Sequence, residues 1–543
     1  MKKLAFLIAL LSIICLFTSC SSDVEVEGLK FYPQDDGSFY VGCDYEVFSA
    51  TELVVPAFYK GRPVTGIAKR GFISCTALTS VTLPKTIRVI DEEAFDSCNN
   101  LKSVSIPNGV NKIGASAFYR CEELVDINFP KNLKYIDTGA FSGCEKLEKV
   151  ILPDGLLELS SNAFKDCKGI KEVRLPESLY YLGESAFDKC SEIEKLTILG
   201  PEIIDEGSFN LLRLNELYIG DNVREIHYGN HFSGTYGTGR IEKVRLSSNL
   251  EYLSSSVINA GKNYKYNFYN GQRYLGNENN PYVLLLVSEN YSSKEKIVAH
   301  EDTRVVTVHG GDPKEIELSD GILNVSITIT TNQDPLIYNT YNGGEYLGTK
   351  DNPYYMLYGV TDTGTRELDI HPDCRVLNVG LSQCKNLYEI NIPKNVCHMY
   401  PFTFKSSENL CAINVDPQNK HYRSVDGLLY SHDGKTLIRC PQGIRGDVKV
   451  MDGVTDIGRE AFHGCSSITS ITLPDGVKVI HCYAISGNNI EDIYLPSSIK
   501  EIRARGFEYV SYRATVHYDG TLWQWRRVTL SSNNTRVYVR CSD

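Results

Sequence analysis

Tryptophan is almost missing from this chain: Trp523 and Trp525 are the only two among 543 residues, and both lie near the C-terminus. That leaves little material for the broad aromatic platforms on which sugar rings stack. No Cys-x-x-Cys pair and no His-Glu-x-x-His occurs, so the common metal-binding spacings are lacking and no metal or other cofactor is expected. Catalytic signatures are equally scarce, with no Gly-x-Ser-x-Gly elbow and no phosphate-binding loop. Adjacent acids such as Glu92-Glu93 and Glu122-Glu123 read as solvated turns, and the chain reads as non-enzymatic. Basic residues are outnumbered, 56 Lys and Arg against 67 Asp and Glu for a net charge of −11, which speaks against nucleic acid as a partner. No apolar run is long enough to cross a bilayer.

What the chain does have is a period. Ala-Phe-x-x-Cys recurs at Phe95, Phe118, Phe141, Phe164 and Phe187, followed each time by Cys98, Cys121, Cys144, Cys167 and Cys190, at a constant step of 23 residues. A fixed step of that length means one supersecondary unit copied and stacked. One copy reads Leu101-x-x-Val104-x-Ile106-Pro107-x-x-Val110-x-x-Ile113-x-x-x-Ala117-Phe118-x-x-Cys121. Alternation at Val104 and Ile106 predicts a short strand with one buried face, and Pro107 ends it. Stacked copies would pair these strands in parallel about 4.8 Å apart, and Phe118 would stack on Phe95 and Phe141. The expected fold is mainly β, a solenoid of 23-residue coils that grows by adding coils into one elongated body rather than several globular domains.

The N-terminus has another purpose. Lys2 and Lys3 precede an apolar run from Leu4 to Phe17 that ends at Thr18-Ser19-Cys20, too short for a membrane span but suited to an export signal over 1–19. Leu16-Phe17-Thr18-Ser19-Cys20 resembles a bacterial lipobox, which implies acylation of Cys20 as a lipid anchor; plain secretory cleavage is the alternative. The polar, acidic segment 20–28 resembles the export signal of surface lipoproteins in some Gram-negative bacteria. Together these predict a lipid-anchored outer-membrane protein exposed on the cell surface.

The repeat Leu-x-x-Val-x-Ile-Pro-x-x-Val-x-x-Ile-x-x-x-Ala-Phe-x-x-Cys is similar to the BspA-type leucine-rich repeat of bacterial surface proteins. The likeness covers Leu78 to Cys190 and returns at Ala461-Phe462-His463-Gly464-Cys465, Ile468 to Pro474 and Ile490 to Pro496. Val54 to Ile67 resembles the family's first coil. Val516 to Trp525 with Val537 to Cys541 resembles its C-terminal strand cap, which gives the two tryptophans a capping use. The expected segments are leucine-rich repeats over 29–260, duplicated hairpin modules over 261–384, further repeats over 385–515 and the cap over 516–543.

In the middle the spacing drifts, and Gly234-Thr235-Tyr236-Gly237-Thr238-Gly239 reads as a loop, not a nucleotide fingerprint. Tyr269-Asn270-Gly271-Gln272-Arg273-Tyr274-Leu275-Gly276 is echoed 72 residues later by Tyr341-Asn342-Gly343-Gly344-Glu345-Tyr346-Leu347-Gly348. The Asn-Gly steps predict hairpins beside the solenoid. A further hairpin is expected from Asp426 to Tyr430 and Thr436 to Ile438, turning through His432 to Lys435. The repeated tyrosines are read as packing within their modules. Seventeen cysteines in an exported chain would permit disulfides, but one cysteine per coil, all pointing the same way, reads as a column of buried free thiols.

If the surface binds, the outward strand positions carry it. From Ser103 and Ser105 onward these change from small hydroxyls to long side chains, and Lys149, Arg174, Lys195, Tyr218, Lys243 and Arg245 form the candidate ligand patch. Resemblance to the BspA-type family implies an adhesin-like role toward extracellular or host proteins. A carbohydrate-binding accessory lipoprotein is the alternative, with glycans as partners.

Overall fold

A computed structural model describes residues 28–205, 207–211, 214–227, 231–232, 243–254, 266–270, 272–288, 296–309, 315–328, 337–400, 402–486, 489–508, 510, 514–530 and 538–542. The export segment 1–19, Cys20, the tether up to Glu27 and the glycine loop 234–239 lie outside these residues. The chain forms two compact units: one runs through Lys149 and includes Ala163–Gly169, the other comprises Val150–Asn162 and everything from Ile170 onward.

In the first unit each coil contributes two strands to two parallel ladders. One ladder joins Glu52–Val54, Ser80–Thr82, Ser103–Ser105 and Asp126–Asn128 in register. Its central residues, Leu53, Val81, Val104 and Ile127, are buried while their neighbours face outward, the alternation a half-buried strand requires. The other ladder joins Arg62–Ile67, Val89–Ile90, Lys112–Ile113 and Tyr135–Ile136. A third side is closed without regular strands. Phe95, Phe118 and Phe141 each sit between two left-handed residues, Glu93 and Ser97, Ser116 and Arg120, Gly139 and Gly143. That zigzag aims their amides at the next coil, where Phe95 N donates to Ala117 O and Phe118 N to Ala140 O, both at 2.7 Å.

The predicted aromatic column is present. Ring centroids from Phe72 through Phe95, Phe118, Phe141 and Phe164 are 5.2 to 5.4 Å apart, and the rings are stacked nearly parallel. The cysteine column is present too, and the fifteen cysteines among the described residues are free. Hydrophobic burial is only part of their use. Cys98, Cys121, Cys144 and Cys167 each donate S–H to a phenylalanine carbonyl of the preceding coil, at 3.1 to 3.3 Å. Burial pushes the Cys98 thiol up to about 12, so the proton stays available for donation.

The second unit repeats this plan. Glu172–Leu175, Lys195–Ile198, Glu216–Ile219 and Lys243–Arg245 pair in parallel, as do Ile203–Ile204, Glu225–Ile226 and Tyr252–Leu253. The hairpins are not appendages beside the solenoid as the Asn-Gly steps suggested. Asn267–Tyr269 turns into Gln272–Leu275, which runs antiparallel to Leu284–Ser288, and that strand starts a parallel ladder with Val305–His309 and Asn324–Thr328. Asn339–Tyr341 and Gly344–Thr349 do the same before Met356–Val360. So do Tyr422–Val425 and Leu428–Ser431 before Thr436–Arg439. The expected turn from His432 to Lys435 is found between the last two of these strands. Asp426-Gly427, placed in a strand from sequence, is itself a turn with both φ values positive, so this module too opens with a hairpin.

At the end, Thr515–Asp519 and Tyr538–Cys541 extend the last ladder in parallel. Between them Leu522–Trp525 is one helical turn, held by a reciprocal bond between Thr521 and Gln524. Trp525 packs on the core beside Tyr518. Trp523 does not cap: it is 62% exposed, with the Arg527 guanidinium 3.4 Å from its ring centre.

Within this unit the stack is not extended, because early coils touch late ones through the side that bears two-residue strands. Tyr181 meets Tyr483, Arg505 donates to Ser161 Oγ at 2.8 Å, Arg459 pairs with Asp205, and the Tyr400 hydroxyl donates to Tyr252 at 3.3 Å. His398 lies 3.8 Å from Glu251, too far for a hydrogen bond. Burial pushes its imidazole down to about 4, so it is neutral at physiological pH.

Replacing Phe118 by Ala removes a ring held on both faces and is expected to cost about 3–5 kcal/mol, read as a lowered urea midpoint. For His398 the sign follows from its depressed value. The unfolded chain takes up a proton below about pH 6.5 while the folded state resists until about pH 4. Stability is therefore lost as pH falls through that window, by about 3 kcal/mol in all. Urea midpoints at about pH 7.5 and pH 5 should show this slope, reduced in His398→Gln.

Candidate functional site

The outward side chains of the second unit's long ladder form two rows set by strand register. One row runs Glu172, Lys195, Glu216, Lys243; the other runs Arg174, Thr197, Tyr218, Arg245. The first alternates in sign, and neighbours neutralise each other: Lys195 lies 3.2 Å from Glu172, and Lys243 lies 2.6 Å from Glu216. The bond to Lys243 holds the Glu216 carboxyl below the usual range. Arg174 pairs with Asp154 at 2.9 Å. The candidate patch is thus a charge-balanced surface rather than a basic one. Coil spacing of about 4.8 Å puts each charge beside its opposite.

Arg245 is the most constrained member. Its guanidinium lies 4.4 Å from the ring centre of Tyr218 and reaches Asp221 at 3.5 Å, while the buried Nη1 has no hydrogen-bond partner. Tyr218 stays 37% exposed beneath it. Four predicted residues, Lys195, Tyr218, Lys243 and Arg245, line one groove of about 700 Å³. Arg174 is not among its lining residues, and Lys149, although exposed, belongs to the first unit. The groove lies wholly within the second.

Its opposite wall was not foreseen. Asn267, Asn277 and Glu278, from the first hairpin module, complete the lining. Asn277 docks that wall by donating to Leu246 O at 2.7 Å and Ser248 Oγ at 2.9 Å. Gly276 permits the turn behind it, since a Cβ there would meet Asn280 O at 2.1 Å. The repeated Tyr-Leu-Gly followed by Asn-Pro was the available signal, and it marks a docking turn.

Tyrosines in the modules serve packing. Tyr274, Tyr346 and Tyr430 are buried, and their hydroxyls accept from the amides of His300, His371 and Met451 at 3.0 to 3.3 Å. His300 and His371 in turn stack on Tyr282 and Tyr354. Among the described residues no group of three or more His, Cys, Asp or Glu is placed to hold a metal ion, and no helix is long and apolar enough to cross a membrane. Tyr274→Phe leaves the His300 amide unpartnered and is expected to cost about 1–3 kcal/mol, whereas Lys243→Ala on the open ladder should leave the urea midpoint within error of the parent.

The model of the BspA type Leucine rich repeat region matches in six copies, over residues 65–194, 136–265, 367–425 and 446–530. No curated protein matches the chain. Solved structures that resemble it include a Treponema pallidum leucine-rich repeat protein, 29% identical over 34% of this chain and 84% of that one, with a TM-score of 0.31. A leucine-rich cell surface protein of Faecalibacterium prausnitzii is 20% identical over 94% of this chain and 99% of its own, with a TM-score of 0.32. A leucine-rich repeat protein of Bacteroides ovatus is 17% identical over 96% and 100%, with a TM-score of 0.30. Because the repeat model covers more than half of its residues, this chain belongs to the BspA-type leucine-rich repeat family, bacterial surface proteins whose coils serve as scaffolds for protein interaction rather than as catalysts.

Proposed function

We propose that the protein is an adhesin-like lipoprotein, held at the bacterial outer membrane through Cys20 and binding extracellular or host proteins through the groove bordered by Lys195, Tyr218, Lys243 and Arg245. The observation that carries this reading is the Arg245–Tyr218 pair. A partly exposed aromatic ring beneath a guanidinium combines two of the three residue types that most often anchor protein interfaces. Paired charges around it form a polar rim with little net field, so recognition rests on shape and hydrogen bonding more than on long-range attraction.

A carbohydrate-binding role keeps one specific support. A second groove of about 400 Å³ at the last coils is lined by Asp475, Tyr494, His517, Asp519 and Arg540, with Tyr494 42% exposed and stacked on His517.

The full chain in detergent should be screened against immobilised matrix proteins and a glycan array. Protein binding that falls at least tenfold in Arg245→Ala and Tyr218→Ala, and is untouched by Tyr494→Ala, is expected. Glycan binding lost only in Tyr494→Ala would reverse the assignment. Cys20→Ala should release the protein from the outer-membrane fraction.

A further inference from the structure

A cavity of about 220 Å³ lies inside the second unit, where the coil of Glu225 and His227 faces the later segments. Tyr400, Phe402 and Tyr422 form aromatic walls, while Leu429 and Ile438 add apolar surface. Glu225, Glu460, Arg439 and Arg459 also line it. The side of the module that bears it takes no part in the outward groove.

Arg439 is 7% exposed and held rigidly by backbone: Nη1 donates to Glu460 O at 2.8 Å, and Nη2 to Phe404 O at 3.3 Å and His463 O at 3.4 Å. Its Nε has no partner. Among the described residues no carboxylate lies within 4.0 Å of this guanidinium. A buried guanidinium with no carboxylate partner favours negative charge beside it. Arg459, by contrast, already has Asp205. Negative charge is present as well. Glu460 is held below the usual carboxylate range: burial opposes ionisation, but Arg459, His463 and Arg439 outweigh it. The Glu225 carboxylate accepts from the His227 ring Nε2–H at 2.8 Å.

Two acids and two arginines at an aromatic cavity balance in charge, so neither a simple anion nor a simple cation is matched by the whole lining. At roughly 30 Å³ per water, the space equals about seven waters, a volume for a ligand of about a dozen non-hydrogen atoms. We infer that this cavity binds a small aromatic zwitterion of the free α-amino acid class, with its carboxylate beside the Arg439 guanidinium, its ammonium facing Glu225 and Glu460, and its ring against Tyr400, Phe402 and Tyr422. This site is independent of the proposed adhesin groove.

The test is titration calorimetry and thermal unfolding of the full chain in detergent with L-phenylalanine, 3-phenylpropanoate and 2-phenylethylamine. L-Phenylalanine should bind saturably and raise the unfolding temperature, and each single-charge analogue should bind at least tenfold more weakly. Arg439→Gln should weaken L-phenylalanine at least tenfold. Because that variant also loses bonds to three carbonyls, Ile438→Phe, which fills the cavity from an apolar wall, provides a second block and should abolish binding with an unchanged circular dichroism spectrum. Absence of binding at millimolar L-phenylalanine, an analogue binding as tightly, or undiminished binding by a folded Ile438→Phe would each overturn the inference.

Discussion

Coil-to-coil spacing is the constraint on which the rest depends. Parallel backbone pairing holds successive coils about 4.8 Å apart, so every side chain has for its nearest neighbour the residue one period away. A ring at one position can then stack only on another ring, and the phenylalanines from Phe72 to Phe164 do so at 5.2 to 5.4 Å. A thiol at the next fixed position reaches a carbonyl of the coil before it. Surface charges obey the same geometry: Lys69 meets Glu92, and Lys146 meets Glu123. Like charges in one row would repel at that distance, which explains why acids and bases alternate along Glu172, Lys195, Glu216 and Lys243.

The same constraint creates a problem at every start. The first strand of a parallel ladder would leave a row of unpaired backbone groups on its open side. Four ladders are opened by an antiparallel hairpin that folds back over this edge, the first by Leu29–Pro33 with Phe39–Cys43 and the last by Tyr422–Val425 with Leu428–Ser431. The three buried tyrosine hydroxyls do related work, since each accepts an amide that the ladder leaves over. A hairpin module is thus a way to restart a solenoid after its period has drifted, and the drift past Phe209 is followed by such a restart.

Features that repeat with the period were legible in the sequence because repetition is itself the physical signal. Phe118 between Phe95 and Phe141, the outward rows and the Asn-Gly turns could be read from spacing alone. The third module was read only in part, because Asp426-Gly427 sits inside an otherwise strand-like run and Tyr430 lacks the Asn-Gly signature before it. Charge balance in the candidate patch went unread for another reason. Single residues look basic, and only the register that sets Lys243 beside Glu216 shows the neutralisation. The groove's second wall comes from Asn277 and Glu278, which belong to another segment and whose turn chemistry gave no hint of what it docks against.

Least legible are contacts between coils far apart in the chain. Asp205 and Arg459 are separated by 254 residues, and no periodicity links them. Their pairing also resists explanation by stability alone, because desolvating two charges offsets much of their attraction, and an apolar pair of similar volume would hold the coils about as well. What an ion pair adds is selectivity. Apolar faces can slide past one another by a coil at little cost, whereas Arg459 displaced by one coil would lose Asp205. Arg503 over Tyr180 and Arg505 on Ser161 repeat the device on neighbouring coils. These half-buried arginines therefore fix which early coil meets which late one, and with that register they hold the inner cavity's two walls in their facing positions.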